Sequence, residues 1–204
     1  MTATVPTAVA PGFDEDAARA ELYGVLAHLF YAPPSADLLA QLGATPAAPD
    51  GLLAPAWNAL AASARELDAA AVRMEYDALF GGVGKPEVYL FGSHYLAGFL
   101  NEKPVARLRE DLAGLGLARD PAMPETEDHI AYLCEVMRCL IVGAGAAPAD
   151  LATQRTFFAA HIQPWIETLC DTIAAHPAAR FYARAADFTR AFASVEAQGF
   201  DMLP

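Results

Sequence analysis

Cationic side chains are scarce in this chain: 13 Lys and Arg stand against 25 Asp and Glu, giving a net charge of -12. A surface of that sign repels nucleic-acid phosphates and anionic lipid head groups, so nucleic-acid binding is disfavoured, whereas a basic peptide or a basic patch on another protein is attracted. Cysteine is sparse as well. Cys134, Cys139 and Cys170 have neither metal-ligand nor redox spacing, and an odd count without a disulfide framework suits free, buried thiols in a reducing compartment. No stretch free of charged side chains exceeds 15 residues, short of the roughly 18 that signal a transmembrane helix, so no stable membrane insertion is expected. The N-terminal residues lack a basic flank and a Leu-rich run and do not read as a signal peptide. The chain therefore reads as soluble and cytoplasmic. Strand-type alternation and internal repeats are also missing.

What is present is apolar, helix-forming sequence. Hydrophobic residues make up 55% of 204, enough to fill a core. Asp14 is placed to cap a first helix that ends at Pro33-Pro34, and Ser35 to cap a short second one. Further helices are predicted from about Pro55, Ala70, Ser93 and Pro104. Asp150 opens a long one that Pro164 kinks or divides, and Pro177 opens the last. Residues 81–92 form a Gly-rich loop, and 117–124 a polar, hinge-like connector. The expected architecture is an all-α, single-domain bundle of roughly eight to ten helices over 13–204, behind a flexible N-terminus at 1–12.

The most telling stretch is Pro124-Glu125-Thr126-Glu127-Asp128-His129-Ile130. Ile130, Leu133, Met137, Leu140 and Ile141 continue it with helical periodicity, which predicts a helix over 125–142 with its acids in the first turn. Such a cluster suits a cationic, partly apolar partner, and the same acids also begin many ordinary helices. Reversing it, as in Asp128→Lys, is expected to weaken such binding while leaving the helix folded. For His129 the helix dipole and the neighbouring carboxylates oppose one another, so the direction of its pKa shift stays open.

Other chemistry is poorly supported. Gly81-Gly-Val-Gly-Lys85 lacks the first glycine and the Ser/Thr of a phosphate loop, since Leu79 and Pro86 hold those positions. Asp128 and His129, as helix neighbours, would point about 100° apart and could not orient each other as a catalytic pair. The other histidines have no metal-ligand spacing. No cofactor or metal is expected. Tyr76, Leu79 and Phe80 at a helix end, with Leu90 and Phe91 beyond the Gly-rich loop, are either core or the lining of a groove for an apolar peptide.

Glu75-Tyr-x-x-Leu-Phe80, Gly84-Lys-Pro-x-x-Tyr with Ser93-x-Tyr95, the Glu-x-x-Asp-His129 cluster, Phe158-x-x-His161-Ile-x-Pro-Trp165 and Phe181-Tyr-x-x-x-Ala-x-Phe188 occur in one order over about 15–198. In that order they resemble the TorD/DmsD-type molybdoenzyme maturation chaperones. The resemblance implies an all-α, non-enzymatic cytoplasmic chaperone. It would bind the twin-arginine leader and the apo catalytic subunit of a molybdopterin oxidoreductase, assist cofactor insertion and delay export. Carried over by position, the leader-binding face would comprise Tyr76, Leu79, Phe80, Leu90, Phe91, Asp128 and His129, and Glu125 and Glu127 join Asp128 there as planar acceptors for the guanidinium forks of adjacent arginines. Thr126 stands where the family usually has proline, and Tyr76 where relatives carry Trp, which bears on leader preference rather than fold. The related nitrate reductase assembly chaperones suggest an alternative, a leader-independent assembly factor. A nucleotide-binding protein or an enzyme using Asp128 and His129 is the remaining rival.

Overall fold

The structure is a computed structural model that describes residues 15–81, 85–98, 103–120, 122–143 and 147–203. Helix α1 (Glu15–Tyr31) stops before Pro33-Pro34, which cannot continue it. Ser35 then caps α2 (Ala36–Ala44) by accepting from the Leu38 N–H at 3.1 Å. Proline in its first turn opens α3 (Ala54–Glu66), and Asp68 caps α4 (Ala69–Phe80) through the Ala71 N–H at 2.7 Å. Short α5 (Gly92–Ala97) and amphipathic α6 (Lys103–Gly114) follow. Next come α7 (Ile130–Val142) and α8 (Leu151–His161), the latter capped by Asp150. Pro164 divides α8 from α9 (Gln163–Ala175), and α10 (Phe181–Asp201) closes the chain.

All ten described elements are helices, in keeping with the expected all-α bundle. Among the described residues the only bridge is an isolated antiparallel one, Phe91 to His129. Helix α1 packs along α7, α10 lies against α9 and α3, and α2 against α3. One core runs between them, with Trp165, Tyr23, Tyr182, Phe30, Phe158 and Phe181 fully buried. No described helix is long and apolar enough to cross a membrane. Asp14 and residues 1–12 lie outside the described residues, as does the centre of the Gly-rich loop at 82–84. Residues 117–120 and 122–124 are irregular, and Asp120 closes a tight turn there by accepting from the Ala122 N–H.

Two helix starts differ from expectation. The last helix begins at Phe181, not at Pro177. The reason is a carboxylate from another helix: Glu75 of α4 accepts the N–H groups of Arg180, Phe181 and Tyr182 at 2.8, 3.1 and 2.7 Å. Those donors have no partner within the helix, and Arg180 supplies no side-chain cap of its own. The second case is α7, whose displaced start builds the site.

Candidate functional site

The acidic segment is not the first turn of α7. The helix starts at Ile130, and residues 125–129 form a turn in which the Thr126 carbonyl accepts the His129 N–H. The backbone is committed elsewhere: the Asp128 carbonyl accepts the Gly92 N–H at 3.0 Å, and the Leu90 carbonyl accepts the Ile130 N–H at 2.9 Å. Gly92 sits tightly at this crossing: a Cβ there would stand 3.0 Å from Trp165 Nε1, so the indole would have to give by a few tenths of an ångström. Asp128 and His129 are each only 4% exposed. Both Asp128 oxygens are occupied, Oδ2 by the Ser93 N–H at 2.8 Å and Oδ1 by the Thr126 hydroxyl at 2.6 Å. Asp128 therefore ties α5 to the start of α7, and its burial keeps both bonded oxygens away from a guanidinium in solvent. Glu127 is also engaged, in a two-oxygen pair with Arg109 of α6 at 2.9 and 3.0 Å that holds its carboxyl below the usual range. Glu125, half-buried, remains.

His129 is the N-cap of α7: its Nδ1 accepts the Ala131 N–H at 3.2 Å. Protonating that nitrogen would set two donors against each other. Burial drives the ring's pKa down from 6.5 to about 4, against the opposing pull of Asp128, so the sequence's open question resolves toward the neutral ring. The unfolded ring therefore takes up its proton first as pH falls. Stability is intact above about pH 6.5 and declines toward pH 4, by at most about 1.4 kcal/mol per pH unit from this group. Burial depresses His161 as well, in the same direction despite its bond to Asp111. Urea melts between pH 4 and 7 should show this slope, and His129→Gln should flatten it by its own share. An unchanged slope would mean that His129 is not the group responsible.

The apolar candidates divide between core and surface. Leu79 and Leu90 are buried, so their side chains belong to the core. Phe80 is half-buried, edge-on to Tyr182 at 5.0 Å and to Tyr76 at 5.1 Å. The Tyr76 hydroxyl donates to the carbonyls of Phe30 and Tyr31, and burial lifts it to about 12, with Glu125 pushing the same way. Phe91 packs edge-on against His129 at 5.0 Å, His129 lies 5.6 Å from the Tyr132 ring, and Tyr132 lies 6.0 Å from Tyr31. An aromatic arc thus runs from Phe91 to Phe80 through two tyrosines, Tyr31 and Tyr132, that sequence reasoning passed over.

Beside that arc lies an open groove of about 580 Å³ between the C-terminal end of α1, the start of α2 and the start of α7. Tyr31, Pro33, Pro34, Leu38, Met123 and Ala131 make its walls apolar, while Asp37, Glu135 and His28 rim it. His28 is oriented by donating from Nδ1 to the Gly24 carbonyl at 2.7 Å, and Glu135 pairs with Arg138 at 2.9 Å. The Tyr-x-Pro-Pro-Ser sequence that stops α1 also forms one wall of the groove, and its Tyr31 is 42% exposed, a consequence of helix packing that no local sequence pattern reports.

Among the described residues no group of three His, Cys, Asp or Glu is disposed to hold a metal. Cys134, Cys139 and Cys170 are free thiols, and burial pushes the pKa of each upward. Lys85 is exposed in an irregular segment after α4, with no strand before it.

A search of the curated proteins finds no match. A proposed redox enzyme maturation protein from Archaeoglobus fulgidus, solved by crystallography, shares the fold at 17% identity and a TM-score of 0.56, over 92% of this chain and 97% of that one. The family model described as nitrate reductase delta subunit matches residues 47–171, more than half of the chain. By that match, the chain belongs to the nitrate reductase delta subunit family of TorD-type molybdoenzyme maturation chaperones.

Proposed function

We propose that this chaperone acts in the cytoplasm by binding the twin-arginine leader of a molybdopterin oxidoreductase together with its apo catalytic subunit, assisting cofactor insertion and delaying export. It performs no catalysis of its own. The observation that carries this reading is the open apolar groove beside the aromatic arc, rimmed by carboxylates on a chain of net charge -12. An apolar leader segment gains by burying its side chains against Tyr31, Pro34 and Leu38, and adjacent arginines gain from the surrounding negative field. Leu79, Leu90, Asp128 and His129 contribute by holding the arc in place, whereas Tyr76, Phe80, Phe91 and Glu125 stand at its surface. The family match to nitrate reductase delta subunit favours a second reading, assembly of the mature subunit without a leader.

Tagging the chain in its own organism and identifying co-purifying proteins by mass spectrometry tests the proposal. A molybdopterin oxidoreductase precursor should be recovered, and removal of its leader should reduce recovery. Tyr31→Asp, which places a charge at the exposed wall of the groove, should do the same. Recovery unaffected by either change would favour the leader-independent reading.

A further inference from the structure

The groove is largely apolar, yet His28, Tyr132 and Glu135 line it with hydrogen-bonding capacity left unfilled. A carbonyl only accepts, so the bond from His28 Nδ1 to the Gly24 carbonyl at 2.7 Å puts the proton of the neutral ring on Nδ1 and leaves Nε2 a lone-pair acceptor. Among the described residues no hydrogen bond engages that Nε2. Glu135 holds Arg138 through Oε2, at 2.9 Å from Nε, and its Oε1 accepts no hydrogen bond among the described residues. Tyr132 stands three positions before Glu135 on α7, and its hydroxyl is buried with no hydrogen-bond partner among the described residues. A buried donor left unpaired is costly.

Arg138 joins the two acceptors. Its Cδ lies 3.4 Å from where a Cβ on Gly24 would stand, so its side chain crosses α1 at the residue whose carbonyl orients His28, while its guanidinium holds Glu135. That pairing also balances the charge of Glu135. A second guanidinium here would meet the first, whereas a neutral N–H meets no like charge. A polypeptide that buries apolar side chains in a groove brings its own N–H and C=O groups with it, and each needs a partner. The opposite wall offers few: Pro33 and Pro34 have no N–H, and the Tyr31 carbonyl already accepts from the Tyr76 hydroxyl at 3.1 Å. Ring nitrogens serve backbone N–H groups elsewhere in this chain, at His129 for Ala131 and at His176 for Ala178, both 3.2 Å.

We propose that His28 Nε2 and Glu135 Oε1 accept backbone N–H groups of the leader's apolar run, and that the Tyr132 hydroxyl, its ring swung toward the groove, donates to one of the run's carbonyls. The inference rests on the leader reading above. It assigns the α1/α7 edge of the groove to the main chain of the leader rather than to its arginines.

The test uses the full chain and a synthetic peptide with Arg-Arg before an apolar run, together with a series in which one amide of the run at a time is replaced by an ester. The ester removes an N–H and adds no bulk. In calorimetric titrations, an ester at one position should weaken binding to the wild type by about fivefold, the loss of one hydrogen bond, and have no effect on binding to His28→Phe. His28→Gln, whose amide oxygen can stand near the place of Nε2, should keep part of that effect. Glu135→Ala should cancel the effect of an ester at a different position. Tyr132→Phe should weaken the all-amide peptide by about fivefold yet melt no lower than the wild type, because the free protein loses no hydrogen bond. Thermal melts confirm that the other variants are folded. Ester effects that are the same in wild type, His28→Phe and Glu135→Ala, or a Tyr132→Phe variant that binds as tightly as wild type, would overturn the assignment while leaving leader binding intact. Failure of the wild type to bind the all-amide peptide would overturn the leader reading and this inference with it.

Discussion

Replacing Glu75 by alanine is expected to cost about 3–5 kcal/mol of stability, because it strands several N–H groups at a buried helix start and each such donor costs about 1–3 kcal/mol. The carboxylate is 7% exposed and accepts from Arg180, Phe181 and Tyr182, while α10 has no cap of its own. Partial fraying and water entry keep the total below the sum of three donors. Glu75→Gln keeps one acceptor oxygen, which serves Arg180 and Tyr182, and turns an N–H2 toward Phe181. It should lose about half as much. Urea melts of the three proteins decide this. A loss below about 1 kcal/mol for the alanine variant would show that α10 is anchored by its apolar face instead. A glutamate that reads in sequence as part of an aromatic helix end is thereby the cap of a helix a hundred residues away.

The second large effect is at Asp128. Asp128→Ala removes the acceptor of the Ser93 N–H and of the Thr126 hydroxyl in a site that is 4% exposed, and should cost about 2–4 kcal/mol. Asp128→Lys should be worse, since it buries an unpaired cation where a carboxylate was satisfied. The charge reversal that sequence reasoning expected to spare the fold is instead expected to unfold the start of α7 and release α5. Asp128→Asn keeps one oxygen and most of the stability. Equal melts for wild type and Asp128→Lys would show that the contact between 90–93 and 128–130 can be given up.

These two residues also show what sequence could and could not reveal. Helical periodicity with Ser35, Pro55, Pro104 and Pro164 was enough to place most of the elements, because caps and prolines act within a few residues of themselves. The starts of α7 and α10 were misplaced by four or five residues because distant partners set them. Gly92 and Leu90 take the backbone around Asp128, and the Glu75 bond to Tyr182 spans 107 positions. No local rule reports such contacts. The same limit applied to the site. Of the residues expected at the site, Tyr76, Phe80 and Phe91 from family positions and Glu125 from its carboxylate are half-buried, whereas Leu79, Leu90 and Asp128 are interior. Tyr31, Pro34, Leu38 and Tyr132 were missed because a groove between α1, α2 and α7 exists only once those helices are packed.

The central claim is that the groove between α1, α2 and α7 is where the leader binds, and the methionines make it directly measurable. Met123 lines the groove, Met137 is fully buried, and Met74 and Met202 are exposed elsewhere, 73% and 81%. With the methionine methyls labelled in the full chain, a twin-arginine peptide is titrated and their NMR signals followed. The Met123 methyl is predicted to shift in saturable fashion while those of Met74 and Met202 stay in place. A saturable shift at Met74 or Met202 with Met123 unmoved would contradict the account and place the leader on another face.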